Sequence, residues 1–265
     1  MHSFGLLPND NDAQLVHVAN LLPPAQRAQA LAHMRWCART PFATVELMEL
    51  NDELVGYCTG IRFGTTARIA HFFLHPSVKD PAFGQVFADD FWDHLLVGGA
   101  SGVHVQCTPD KVPLWESIGF AVYDRFVQYG GGLFLEAQRD EVLLLEPVHT
   151  LALLHLDRKA TGEERTPLLL EHRYAAQGYE EHGTLRGGLL PVLGHGYIVA
   201  DAPEVGLELQ RWLLPVQTHI IVPEANEAAC AHLHERGYRV QGTSVRLVRG
   251  ALPHFRPEMV FAWPW

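Results

Sequence analysis

The 265-residue sequence predicts a mixed α/β fold in which one pattern is used twice. Strand-like and helix-like runs alternate, with more strands than helices. The second half restarts the order of the first. Laying Gly119 over Gly237 without a gap also brings "VQCTPDKVPLWESIGFAVYDRFVQYGGG" onto "IIVPEANEAACAHLHERGYRVQGTSVRLVRG". A strand, a short helix ending at glycine, an aromatic residue (Phe120 or Tyr238) and a returning strand then coincide.

Each element has its own reason. "DAQLVHVANLL" and "PPAQRAQALAHMRWCART" carry apolar residues at helical spacing, and Pro23–Pro24 suit a helix start, where the missing N–H has no intrahelical partner to lose. "TVELMELNDELVGYCTGIRF" reads as two strands about Asn51-Asp52, a hairpin signal. "TARIAHFFLH" is the next strand, followed by a loop, a helix from Val86 to about Leu96 and the break "GGASG". "VHVQCT" is a strand, "DKVPLWESIG" a short helix and "AVYDRFVQYGG" a strand. In the second half "TLALLHLDRKATGEERTPLLLEHRYAAQG" is helical with a turn at Thr161-Gly162, and "TLRGGLLPVLGHGYIVAD" gives two strands. A helix "PEVGLELQRWLL", a strand "THIIVP", a helix "NEAACAHLHERG" and the last strands "YRVQGTSVRLVRG" complete the order.

Composition narrows the function. With 48% hydrophobic and 19% charged residues the chain has enough apolar surface for a core in each half. A formal charge of -10 without a Lys/Arg cluster argues against a nucleic-acid partner and leans toward a cationic or neutral small substrate. Cys37, Cys58, Cys107 and Cys230 form no CxxC pair and are expected as free thiols of a reducing compartment. The opening "MHSFGLLPNDND" has no basic-then-apolar leader and no run reaches membrane-spanning length, so a cytoplasmic chain without a membrane partner is expected. No metal is expected either. His71 and His75 are four apart on a strand, His232 and His234 diverge on a helix, and no Cys/His/carboxylate set has zinc-like spacing.

The stretch that bears chemistry is "FFLHPSVKDPAFGQVFADDFWDHLL", Phe72 to Leu96. Strand, small-residue loop and helix in that order hold a pyrophosphate, because N–H groups at the helix start point at the anion. This loop has one glycine, the negative charge of Asp80 and, at Pro81, a residue without an N–H.

The order, followed by a strand and "PLWESIGF", resembles the GNAT acyltransferases. Their loop usually reads Arg/Gln-x-x-Gly-x-Gly/Ala after a strand ending near His-Pro, and the matching positions here are Lys79, Ala82 and Gly84. A later family motif, Asn-x-x-Ala leading to Leu-Tyr-x-x-x-Gly-Phe, falls on Thr108, Lys111, Leu114, Trp115, Gly119 and Phe120. In the second half it falls on Asn226, Ala229, Leu233, Gly237 and Tyr238, where it is better preserved. With "LDRKATGEER" the chain is similar to a bacterial two-domain subgroup of tandem GNAT proteins.

The resemblance implies an α/β (α+β) fold of two GNAT-like domains, at 1–140 and 141–265, each a mixed, mostly antiparallel sheet flanked by helices. It implies an N-acetyltransferase that moves an acetyl group from acetyl-CoA, its cosubstrate, to a primary amine of a small molecule or peptide. The alternative is a GNAT-like module that has lost catalysis and serves as a ligand-binding or interaction domain. The backbone of Phe73 and Leu74 would pair with the pantetheine arm, with the Leu74 amide facing the thioester oxygen. Lys79, Asp80, Ala82, Phe83, Gly84 and Gln85 would form the phosphate cradle, and Thr108 would join the cofactor-binding set through the later motif. "IVADAPEVGLEL" in the second half looks like a lost CoA site. Members often carry a Glu or His base on the strand before the loop. Alternation back from Leu74 puts Phe72, Ala70 and Arg68 on one face and His71 and Phe73 on the other. The base-bearing face then has no base, and His71 points away unless a bulge intervenes. Trp115 stands at the family's tyrosine, and indole cannot serve as an acid. The catalytic residues stay unassigned, as does a homodimer.

Overall fold

The structure, a computed structural model, describes residues 4–8, 11–133, 137, 140–251 and 253–265. The chain divides into two units. Unit 1 comprises Met1–Gln106, Asp110–Val122 and Leu247–Leu252; unit 2 comprises Cys107–Pro109, Tyr123–Arg246 and Pro253–Trp265.

Unit 1 runs β1 (Phe4–Pro8), α1 (Asp12–Asn20), α2 (Pro24–Arg39), β2 (Ala43–Leu50), β3 (Glu53–Phe63), β4 (Thr66–Leu74), α3 (Pro81–Val97), β5 (Gly102–Cys107) and α4 (Val112–Ser117). Asn51 and Asp52 take φ of 52° and 65°, the left-handed pair that a two-residue hairpin between β2 and β3 requires. The strand order is β1-β2-β3-β4-β5. The first three pairings are antiparallel and β4–β5 is parallel. On one face, Leu15, Val18, Ala30 and Met34 of the first two helices close over Val45, Leu47 and Tyr57. On the other, Phe87, Phe91 and Leu95 of α3 are buried at helical spacing. Gly60 is why α3 lies so close, since a Cβ there would meet Leu95 Cδ2 at 2.9 Å.

One boundary differs from the sequence reading. The helix expected from Val86 begins at Pro81, because the Asp80 side chain caps it by accepting from the Ala82 N–H at 2.9 Å and proline fits its first position.

Unit 2 contains β6 (Ala121–Gly130), β7 (Val142–Leu144), α5 (Thr150–Thr161), α6 (Thr166–His172), β8 (Gln177–Glu181), β9 (Thr184–Leu190), β10 (Tyr197–Ala200), α7 (Pro203–Leu213), β11 (His219–Pro223), α8 (Glu227–Glu235), β12 (Arg239–Gly250) and β13 (Val260–Ala262). The first two residues of β6 and the last four of β12 belong to unit 1. The sheet orders are β12-β6-β11 and β13-β10-β9-β8-β7. The core joins Leu189 of β9 and Ile198 of β10 to Val205, Leu209 and Leu213 of α7. "YRVQGTSVRLVRG" is one strand, where two or more were expected.

The repeat register holds in atomic detail. Gly119 and Gly237 both have positive φ, 89° and 75°. In unit 1 the Phe120 N–H donates to Trp115 O at 3.1 Å; in unit 2 the Tyr238 N–H donates to Leu233 O at 3.0 Å. Both helices thus end on the same glycine-dependent turn. Among the described residues, no helix is long and apolar enough to cross a membrane.

Candidate functional site

Thr59 of β3 faces His71 of β4 and the next residue, Gly60, faces Ile69, so Ala70 is the extra residue of a β-bulge. Beside it, the parallel pairing of β4 with β5 runs from Thr66↔Gly102 to Ile69↔Val105 and stops. Beyond that point, residues 70–74 of β4 pair on the β3 side through Thr59, Cys58, Tyr57 and Gly56, and all five are only partly buried. A strand with one bonded edge that leads into a helix start is a receptor for an extended ligand.

The bulge corrects the reading of the strand's faces. Simple alternation separates Arg68 from His71, whereas Ala70 shifts the phase by one and both turn toward α2. The two histidines His33 and His71 stack there at 4.4 Å. The Tyr57 hydroxyl lies 3.2 Å from His71 Nδ1, His33 Nε2 lies 3.1 Å from Thr59 Oγ1, and the His71 N–H donates to that same hydroxyl oxygen at 3.0 Å. Burial, then His71 and the Arg68 guanidinium nearby, pushes His33 down to about 3. Burial and Arg68 push His71 down to about 4. Both imidazoles are neutral at physiological pH. His33 and Tyr57 were invisible as partners of His71 in the sequence, since strand β3 and helix α2 meet only in the fold.

Phe72 and Leu74 point the opposite way. Phe72 meets buried Trp115 edge-on at 5.3 Å, and Trp115 packs likewise on Phe120. Trp115 is therefore core. Phe73, of which only the backbone was expected to matter, lies 6.0 Å from Tyr57 and packs with the α1–α2 cluster.

The cradle residues come together at the start of α3. Lys79, Asp80 and Ala82 are exposed, Phe83 and Gln85 half-buried, and Gly84 buried. Gln85 Nε2 donates to Ser117 Oγ at 2.9 Å, tying α3 to α4. A Cβ on Gly84 would find only Leu74 Cδ2 at 3.7 Å and Leu114 Cδ1 at 3.8 Å, ordinary contacts. Packing does not demand a glycine there, and its φ is not left-handed; a closely approaching ligand would demand one. Against that stands Asp80, whose carboxylate already holds the Ala82 N–H. The Phe83 N–H donates to Asp80 O at 3.2 Å, and Pro81 has none to offer. Thr108 is exposed in the short stretch Cys107–Pro109, which groups with unit 2.

Two further features border this region. A cavity of about 670 Å³ lies among α1, the β2–β3 hairpin and the loop after β4, lined by His17, Leu21, Glu49, Asp52, Glu53 and His75. Burial, then Asp90, pushes the Glu46 carboxyl up to about 7, and it pairs with His94 Nδ1 at 2.8 Å. That pair sits on β2 and α3, two strands from the unpaired edge of β4.

No family sequence model and no curated relative matches the chain. Solved structures do. A candidate acetyltransferase of Pyrococcus horikoshii superposes with TM-score 0.75 at 17% identity, over 98% of this chain and 93% of that one. A tandem GNAT protein from the clavulanic acid biosynthesis pathway superposes with TM-score 0.63 at 12% identity, over 96% and 99%. The fold is that of a tandem GNAT protein. A GCN5-related N-acetyltransferase of Sphaerobacter thermophilus adds a third GNAT likeness, TM-score 0.62 at 16% identity over 94% and 96%. In this chain of GNAT fold the bulge, the parting of β4 from β5 and the Asp80-capped helix all occur in unit 1. Unit 2 repeats the helix start, with Pro203 first and Gly206 fourth in α7 as Pro81 and Gly84 are in α3.

Proposed function

We propose that the protein is an acyl-CoA-dependent N-acyltransferase whose cosubstrate, acetyl-CoA, binds unit 1. One observation carries the reading. The backbone of Phe72–Leu74 has an edge without β5, and that edge runs straight into a helix start at which Gly84 leaves room for phosphate. Phe73 and Leu74 would hold the pantetheine arm. The Leu74 N–H would face the thioester oxygen, where a fixed donor stabilises the charge that develops as the amine attacks. Lys79 and the first residues of α3 about Gly84 and Gln85 would take the pyrophosphate, helped by the helix dipole. Gly84 and Lys79 suit the group; the Asp80 charge, the missing N–H of Pro81 and the already bonded N–H groups of Ala82 and Phe83 stand against it.

The acceptor is read as a small amine or a peptide amine. Glu49, Asp52 and Glu53 line the cavity that reaches His75, next to Leu74, and they favour a cationic one. As that amine attacks it must lose a proton. His71 and His33, neutral and hydrogen-bonded to Tyr57 and Thr59, are titratable groups beside the bulge.

The second reading, a module that binds without catalysis, is favoured by one specific contact: the Asp80 carboxylate sits on the N–H a phosphate would use. The two readings separate in a thiol-release assay. Protein, acetyl-CoA and a panel of polyamines, amino acids, aminoglycosides and peptides are mixed and free CoA thiol is measured. Amine-dependent release is expected. No release from any of them, with CoA binding intact, would leave the binding module.

A further inference from the structure

In unit 2, α7 is flanked by β10 and β11 as α3 in unit 1 is flanked by β4 and β5. The partner of the first strand differs. Where β4 pairs with β5, β10 pairs antiparallel with β13, through Ile198↔Ala262 and Val199↔Val260. The next residue, Trp263, donates its N–H to Ile221 O of β11 at 2.7 Å. The last strand therefore lies between β10 and β11.

Its backbone is taken up almost group by group. Asn226, which caps α8 by accepting from the Ala229 N–H at 3.0 Å, donates to Val260 O at 2.9 Å and also to Pro257 O and Glu258 O at 3.3 and 3.4 Å. Gln210 Nε2 of α7 donates to Phe261 O at 2.7 Å, and the His195 N–H donates to Pro264 O at 3.0 Å. Phe261 is the extra residue between the two register pairs, and the bulge turns its ring onto Gly206. A Cβ on Gly206 would meet that ring at 2.2 Å. Val260 to Trp263 are fully buried. The Trp263 ring lies 5.4 Å from Phe126 and 6.2 Å from Tyr197, with the Arg165 guanidinium 5.2 Å from its centroid. This is how a cleft is lined around a permanent occupant.

We propose that Val260–Trp263 fills in unit 2 the strand gap that accepts the pantetheine arm in unit 1, so that the chain binds one CoA and not two. The extended segment offers the backbone amides of a strand, as pantetheine offers its two amide groups, and Phe261 stands on the helix-start glycine where a phosphate would approach. The comparison rests on the unit 1 reading; the closure of unit 2 does not.

Amide hydrogen exchange of the full chain, with and without CoA, tests both separately. Amides of Val260–Trp263 are expected to exchange at least about a hundredfold more slowly than an unstructured segment, alongside those of Tyr197–Ala200, and CoA is expected to leave them unchanged. CoA is expected to slow exchange only within Phe72–Gln85, at one equivalent per chain. Fast exchange at Val260–Trp263, or CoA protection at Val199–Gly206, would overturn the proposal. Slow exchange there with no CoA footprint in either unit would remove the unit 1 reading and leave the closure of unit 2 standing.

Discussion

Asp80 does two jobs that oppose each other. Its carboxylate completes the start of α3 by holding the Ala82 N–H, and the same negative charge stands where the pyrophosphate would approach. Asparagine keeps the cap and removes the charge. Asp80→Asn is therefore expected to tighten CoA binding by about two- to fivefold, the worth of one exposed charge near a helix terminus, with little change in melting temperature. Calorimetric titration checks it. Unchanged or weaker binding would mean that the anion does not approach Ala82. His71 shows the limit of reading residues singly. Its face, shared with Phe73 and opposite Phe72 and Leu74, could be counted back from Leu74 in the sequence, but the bulge at Ala70, which turns Arg68 to the same side, could not. "ARIAHFF" carries no mark of that bulge, since it has no glycine or proline to interrupt the strand pattern.

At the scale of elements, the two helix-start glycines make a matched pair with opposite surroundings. Gly84 has ordinary clearance and Gly206 has a phenyl ring against it. Gly84→Ala is expected to stabilise the fold by about 0.5 kcal/mol through helix propensity. Gly206→Ala is expected to destabilise it by about 1–3 kcal/mol, since Phe261 must move or β13 must shift. Urea unfolding of both variants measures the contrast, and equal effects would show that Phe261 is not held on α7. The sequence made the long elements legible: the helices through their apolar spacing, the hairpin through Asn51-Asp52, and the Gly119/Gly237 register. It left four strands unread. β1 is a five-residue run in an opening given no element, β7 and β13 are three residues each, and β8, "QGYEE", is too polar to stand out from the end of a helix. Such strands are fixed by their neighbours rather than by local pattern. The start of α3 was placed five residues late because "DPAFG" reads as loop until Asp80 is recognised as its cap.

For the whole molecule, duplication explains how a fold can keep two copies of one architecture and divide their roles. One copy has β4 leaving β5 at Ala70. In the other, the matching strand pairs with Val260–Ala262. The central claim is that unit 1, through the Phe72–Gln85 strand and helix start, is where CoA binds. Calorimetric titration of the protein with acetyl-CoA, beside the Gly84→Arg variant, tests it most directly. One binding event per chain is predicted for the parent, weakened at least about tenfold in a variant that melts like the parent, because an arginine side chain fills the space above the helix start. Equal affinity in both would put CoA elsewhere, and no binding to either would contradict the account outright.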